Sequence, residues 1–292
     1  MKRIKFYFSL VKFSHTIFAM PFAVIGFFLG LLSVNYITSK PWWELFLLVI
    51  LCMVFARSAA MGFNRFLDAR IDALNPRTAV REIPKGIITS KNALIFVIIN
   101  CIGFVLCSFF INWLCFWLSF VALFVILFYS YTKRFTPLCH LVLGLGLSLA
   151  PIGSYIAVTG IFNITPILFS AAVLFWVSGF DIIYALQDEE FDKANHLKSV
   201  PAALGKKTAL RVSELLHVLS AAAIIFAGYF GRFSWFYFAG CVIFAGMLIY
   251  QHSIVKPDNL RRVNVAFMTA NGIASVLFAI FVLLDMFVKF KM

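Results

Sequence analysis

Eight of the chain's twelve acidic residues fall in two short windows. The first, ARSAAMGFNRFLDARIDALNPRTAVREIPKG (Ala56–Gly86), carries Asn64, Asp68 and Asp72 at i, i+4 and i+8, with Glu82 further on. On a helix this spacing stacks the three side chains along one face, and Arg57 falls on that face one level deeper. The second window, DIIYALQDEEFDKANHLKSVP (Asp181–Pro201), places Asp181, Asp188 and Asp192 at i, i+7 and i+11, with Tyr184 near the same stripe and Glu189 and Glu190 beside it. Glu44, Glu214, Asp258 and Asp285 are scattered singly.

Carboxylates one helical turn apart repel, at about a few tenths of a kcal/mol per pair, unless a cation lies between them. Magnesium suits such a site, because it prefers oxygen ligands and usually takes a few carboxylates together with phosphate oxygens and water. Two Asp clusters of this kind can hold metal ions that bridge a diphosphate and neutralise the charge that builds on it as its carbon–oxygen bond breaks. Neighbouring Arg and Lys side chains offer further phosphate contacts, Arg bidentately. A lone DxxxD is more often solvated surface. Two matched motifs, with Asn64 and Gln187 beside them in an acid-poor chain, favour chemistry.

The elements that must position these acids are membrane helices. The chain has 292 residues, 63% hydrophobic and only 13% charged, and its mean hydropathy is +0.97. A water-soluble protein of this length needs more polar surface. Nine apolar runs reach the length that crosses a bilayer, at about 15–34, 42–66, 92–112, 114–131, 138–159, 164–186, 208–229, 234–252 and 264–286. Lipid forces each of them to be helical, since the backbone must satisfy its own hydrogen bonds there. The expected fold is therefore all-α, with nine transmembrane helices in one domain over 1–292 and cytoplasmic cap loops at about 67–91 and 187–207. No run carries a signal-peptide cleavage site.

A formal net charge of +13 suggests nucleic acid, but its distribution argues otherwise. Twenty of the 25 Lys and Arg residues lie on one side of the nine spans, including Lys2, Arg3, Lys5 and Lys12 at the N-terminus. The positive-inside rule then puts the N-terminus in the cytoplasm and the C-terminus outside. With no transit peptide evident, an inner or plasma membrane is expected. Arg57 lies within a span, well short of its end, and an intramembrane charge is a functional candidate unless its stem carries it to the headgroups. The six cysteines form no CxxC pair and read as small buried hydrophobes.

Taken together, Asn64–Asp72, Asp188–Asp192 with its preceding Tyr and Gln, NPRTAVREIPKG, DIIYALQDEEFD, YSYTKR (Tyr129–Arg134) and SHTIFAMPFA (Ser14–Ala23) resemble the UbiA family of intramembrane aromatic prenyltransferases. The likeness is to its 4-hydroxybenzoate polyprenyltransferase branch and to the menaquinone-pathway relatives of that branch, and it runs along essentially the whole chain. It implies a nine-helix bundle around a central cavity, and transfer of a polyprenyl chain from its diphosphate to an aromatic acid, with magnesium as cofactor. Asn64, Asp68 and Asp72 would bind one ion, and Asp188 and Asp192 the other. Lys133, with Arg65 or Arg134, would touch the diphosphate; the same pair also reads as a topology signal. Tyr129, Tyr131 or Tyr184 would face an allylic cation, a ring-face interaction of about 1–2 kcal/mol when desolvated.

Some roles stay open. Asp181 is a proton acceptor, a substrate-orienting group, or a partner of an Arg. Arg57 grips the acceptor's carboxylate or pairs with an acid. His15 and His196 are weak candidates, and His140, His217 and His252 give no signal. A transporter is the alternative from another class, although carrier sites lie near the membrane midplane on broken helices and no inverted repeat is evident. The Asp-Gly-Ala-Arg-Gly pattern of the CDP-alcohol phosphotransferases is absent. Within prenyl transfer, 4-hydroxybenzoate and a dihydroxynaphthoate both remain as acceptors, and the polyprenyl diphosphate, the aromatic acid and the lipid bilayer are the expected partners, without nucleic acid.

Overall fold

A computed structural model describes residues 6–7, 9–11, 18–33 and 40–291. Among these residues the chain forms helices and turns, with no strand. The helices are α1 (Met20–Leu31), α2 (Trp42–Leu67), α3 (Ala69–Leu74), α4 (Ser90–Ile111), α5 (Trp113–Thr132), α6 (Cys139–Thr159), α7 (Ile164–Ala185), α8 (Glu189–Ala194), α9 (Val200–Phe230), α10 (Trp235–Ile254) and α11 (Asn271–Lys291). Eight of the helical stretches are long and apolar enough to cross a membrane, and α1 is a shorter apolar helix. The protein is thus an all-α, multi-pass membrane protein. Residues 15–17 and 34 of the first expected span, and with them His15, lie outside the described residues.

Beyond the shorter α1 and the later end of α11, two differences from the expected elements stand out. Helix α9 starts at Val200 rather than near 208, because Lys206, Lys207 and Arg211 interrupt the hydropathy without interrupting the helix. Gly205, at φ 75°, breaks its first turns, in a conformation that glycine tolerates best. The second difference lies in the first motif. Helix α2 ends at Leu67 and Asp68 leaves helical geometry at φ −91°, ψ 6°, so one unbroken helix does not carry Asn64, Asp68 and Asp72. The hydrogen-bond register nevertheless survives the bend, with Asp68 N–H donating to Asn64 O (3.0 Å) and Asp72 N–H to Asp68 O (2.7 Å).

The chain forms two compact units, one of residues 1–16 and 43–131, the other of residues 17–42 and 132–292. In the first, α2 packs on α4 where small residues let them approach: the Cβ position of Gly62 faces Val97, and that of Gly103 faces Phe55. Ile83 and Ile88 of the connection between α3 and α4 close a small core with Leu10 and Ala93. Asn75 starts that connection by accepting the Arg77 N–H on its side chain at 2.9 Å.

The second unit has a large aromatic core in which Phe22, Trp176, Phe244 and Phe278 pack edge to face or tilted. Helices α6 and α7 meet at Gly144, whose missing side chain admits Leu174 O and Ser178 Oγ. Serines tie α9 to α7, with Ser213 Oγ donating to Gly179 O and Ser220 Oγ to Ala172 O, both at 2.8 Å. Before α11 the chain makes a π-helical turn, Val265–Ala270. Asn271 answers the carbonyls loosened there: its amide donates to Ala266 O (3.2 Å) and Phe267 O (3.0 Å), while Oδ1 accepts from Trp176 Nε1 (2.8 Å) and Gln251 Nε2 (2.7 Å). Asp285, 1% exposed, caps α10 from a distance by accepting from Ser234 N–H (2.8 Å) and Tyr237 N–H (3.2 Å).

Candidate active site

The first unit presents its candidates at the end of α2 and in the turns beyond it. Asn64 Nδ2 donates to Asp68 Oδ2 at 3.0 Å, which fixes one carboxylate oxygen beside an amide. Asp72 is buried, and Arg81 Nη1 reaches both of its oxygens at 2.6 and 2.7 Å. Thr78 Oγ1 donates to the Asp72 carbonyl at 3.0 Å, so the loop that brings Arg81 back is stitched to the residue it serves. Arg65 is buried on the last turn of α2, within electrostatic reach of Arg81, Asp72, Tyr129 and Glu82. Tyr129, near the end of α5, is also within reach of Arg57. Arg57, Arg65, Asp72 and Tyr129, singled out separately in the sequence, are therefore linked electrostatically within one unit.

The second unit gathers its candidates where α7 ends. A 3-10 turn, Leu186–Asp188, tightens the chain between α7 and α8, so the stripe Asp181–Asp188–Asp192 does not run along one regular helix. Asp188 and Asp192 are both buried, Asp192 completely. Lys133 Nζ sits 2.7 Å from Asp192 Oδ1, and Ser199 Oγ donates to Oδ2 at 2.8 Å. A carboxylate withdrawn from solvent needs such a cation and donor, since leaving one unpaired is costly. Burial lowers the Lys133 ammonium, but Asp192 and then Asp188 outweigh it, and Lys133 is held above its ordinary value. Tyr184 packs its ring on Phe267 at 4.3 Å between centroids. Arg134 is exposed.

Among the described residues the partner of Asp181 is a histidine and not an Arg. Its Oδ2 lies 2.6 Å from His140 Nδ1, on the first turn of α6. Sequence reasoning therefore missed His140, which sits 41 residues away with no motif around it. Arg81 and Ser199 were missed for the same reason. Arg81 stands among several basic residues of one loop, and Ser199 reads as an ordinary helix cap, which it also is, accepting Ala202 N–H at 3.3 Å.

The donors at both motifs are oxygens, as a magnesium ion requires. Among the described residues no three His, Cys, Asp or Glu side chains gather closely enough to cage an ion. Arg81 and Lys133 meanwhile supply the positive charge that the buried carboxylates need.

Comparison with known proteins gives one consistent answer. Residues 19–273 match the model of the UbiA prenyltransferase family. A protein named 4-hydroxybenzoate octaprenyltransferase from Francisella tularensis subsp. mediasiatica is 30% identical over 234 residues, covering 79% of this chain and 81% of the relative. Its namesake from Nitrosomonas europaea is 32% identical over 235 residues, 79% of this chain and 78% of the relative. Among solved structures, an apo UbiA homolog from Aeropyrum pernix superposes with a TM-score of 0.78 at 28% identity, covering 94% of this chain and 98% of that one. A UbiA homolog from Archaeoglobus fulgidus bound to DMAPP and Mg2+ shares the fold, with a TM-score of 0.70 at 20% identity over 97% of this chain and 99% of that one. The chain belongs to the UbiA prenyltransferase family.

Proposed function

We propose that this protein transfers a polyprenyl group from a polyprenyl diphosphate to an aromatic acid, 4-hydroxybenzoate, in quinone synthesis, and that it depends on magnesium. The observation that carries the reading is the second motif, where a completely buried Asp192 is held between Lys133 and Ser199 beside a buried Asp188. Structural surface acids have no need of burial. The names of the curated relatives support the substrate pair, and the Mg2+ and DMAPP of the Archaeoglobus structure support the cofactor and donor class. Family membership also answers the choice between enzyme and transporter.

In this proposal Asn64, Asp68 and Asp72 hold one magnesium ion, and Asp188 and Asp192 the other. The bound metal would supply electrostatic relief to the diphosphate as it leaves. Lys133, Arg65 and Arg134 bind phosphate oxygens, and Lys133 is already charged for that task through Asp192. Tyr129 and Tyr184 offer ring faces to the positive allylic carbon. Arg57 grips the acceptor's carboxylate, and Asp181 takes the ring proton. The chain acts as a single domain over 1–292, in the inner (plasma) membrane, with the N-terminus cytoplasmic and the C-terminus outside.

The test is an incubation of membranes containing the protein with labelled geranyl diphosphate and either 4-hydroxybenzoate or 1,4-dihydroxy-2-naphthoate, with magnesium or with EDTA. Magnesium-dependent product from 4-hydroxybenzoate is expected. Product from the naphthoate alone would move the acceptor to the menaquinone pathway. No product from either, with the protein present and folded, would overturn the reading.

A further inference from the structure

We propose that His140 is a positioning residue that holds Asp181 ready to take the proton from the acceptor ring, and that the start of α9 sets His140 in the required tautomer. This rests on the prenyl-transfer reading above and goes beyond it by assigning a residue that no motif contains.

The tautomer follows from the two groups that His140 touches. Val200 N–H lies 3.3 Å from His140 Nε2, and a backbone amide can only donate. Nε2 is therefore the acceptor and carries no proton, so the proton of the neutral imidazole sits on Nδ1. Nδ1–H then donates to Asp181 Oδ2 at 2.6 Å. The ring is 3% exposed, so solvent does not supply a competing partner. The amide that decides this is the first of α9, one of the N–H groups that a helix leaves without an internal partner. Ser178 Oγ also donates to the His140 carbonyl at 3.1 Å, which anchors the backbone that bears the ring.

The same stretch of chain holds the second motif. Lys198 N–H donates to Lys133 O at 2.6 Å, and Cys139 Sγ lies 3.4 Å from Lys198 O. Ser199 Oγ donates to Asp192 Oδ2 while accepting the Ala202 N–H. Three consecutive residues, Lys198–Val200, thus fasten Lys133, Asp192 and His140 to one helix start. Whatever fixes Asp192 in place also fixes the amide that orients His140.

Among the described residues Asp181 Oδ1 takes no hydrogen bond, and the side chain is 24% exposed. This is the oxygen we assign to the ring proton. In the step, the donor's carbon–oxygen bond breaks and its electron pair leaves with diphosphate. A ring π pair forms the new carbon–carbon bond. The ring C–H bond then breaks, its electron pair restores aromaticity, and the proton passes to Asp181 Oδ1 and from there to water. His140 keeps its proton on Nδ1 throughout and holds Oδ2, so that Oδ1 stays the free face of the carboxylate.

The experiment compares wild type, His140→Leu and His140→Gln as full-length purified protein, using geranyl diphosphate and 4-hydroxybenzoate, both unlabelled and deuterated at the two ring carbons ortho to the phenol. Glutamine keeps one donor for Asp181 and one acceptor for Val200 N–H, so it also guards against a variant that simply fails to fold. His140→Leu is expected to lose about 30- to 100-fold in kcat, up to the lower end of the about 100- to 10,000-fold that a positioned acid–base group itself contributes, because Asp181 remains. KM for geranyl diphosphate should stay within about twofold, and His140→Gln should recover most of the rate. The decisive readout is a ring C–H isotope effect that is near unity in wild type and clearly above it in His140→Leu, because removing the proton has become the slow step. A structural lesion has no reason to create one. An unchanged isotope effect, or a loss confined to KM, would overturn the role of His140 while leaving prenyl transfer intact. Absence of product from wild type would instead overturn the reading on which the proposal rests.

Discussion

Replacing Arg81 by Met tests how the first motif is held when the site binds no substrate. Arg81 Nη1 contacts both oxygens of Asp72, and the two side chains are 22% and 8% exposed. Breaking a fully buried pair by removing one partner costs about 3–5 kcal/mol, because the other charge is stranded. Two features reduce the figure here. Arg81 is partly open to solvent, which weakens the pair to begin with. Arg65 also remains within electrostatic reach of Asp72 and takes up part of its charge. A loss of about 2 kcal/mol follows, or a fall of about 4–8 °C in the melting midpoint of detergent-solubilised protein. Asp72→Asn should cost less, since it strands only a guanidinium that can turn to water. The sign of the double variant is the sharper test. Arg81→Met/Asp72→Asn should melt above Arg81→Met alone, because the stranded carboxylate is gone. Additive losses, or an Arg81→Met protein that melts like wild type, would refute the argument that this carboxylate depends on its arginine.

Three further outcomes follow from the geometry. Asp285→Ala should destabilise by about 1–2 kcal/mol through loss of the remote cap on α10, with kcat per folded molecule unchanged. Gly144→Ala should push α6 from α7, since the added methyl meets Leu174 O and Ser178 Oγ; both the melting midpoint and turnover should fall, because His140 and Asp181 bridge the same two helices one turn away. Lys133 is held above its ordinary value of 10.5, so the stability it contributes is complete below that value and is lost as pH climbs through the raised one. The difference in melting midpoint between wild type and Lys133→Met should therefore be level from about pH 7 to about pH 9 and narrow only above about pH 10.5.

Hydropathy located the helices because lipid imposes one rule on every span, and that rule is written locally. It failed at α9, where Lys206, Lys207 and Arg211 leave the apolar pattern while the backbone stays helical through Gly205. The acids were legible for a similar reason: Asn64, Asp68 and Asp72 repeat at one-turn spacing, and Asp188 and Asp192 do so again. How they are partnered was not legible, even for Lys133, which was singled out as a diphosphate contact and not as the partner of Asp192. Arg81, Lys133, His140 and Ser199 reach the acids 9, 59, 41 and 7 residues away through loops and neighbouring helices, and no periodicity connects them. Asp181 shows the difference. Its position in DIIYALQDEEFD marked it as a candidate, but only the packing of α6 against α7 reveals that its partner is a histidine rather than an arginine.

The most direct test of the central claim uses purified protein, labelled geranyl diphosphate and 4-hydroxybenzoate, comparing wild type with Asp68→Ala and Asp188→Ala in magnesium and in EDTA. The account predicts prenylated product from wild type in magnesium only, and loss of at least about 100-fold in each variant, as expected when an interaction with developing charge is removed. Full turnover by either variant, or turnover by wild type in EDTA, would contradict the assignment of the two Asp motifs to a metal-assisted departure of diphosphate.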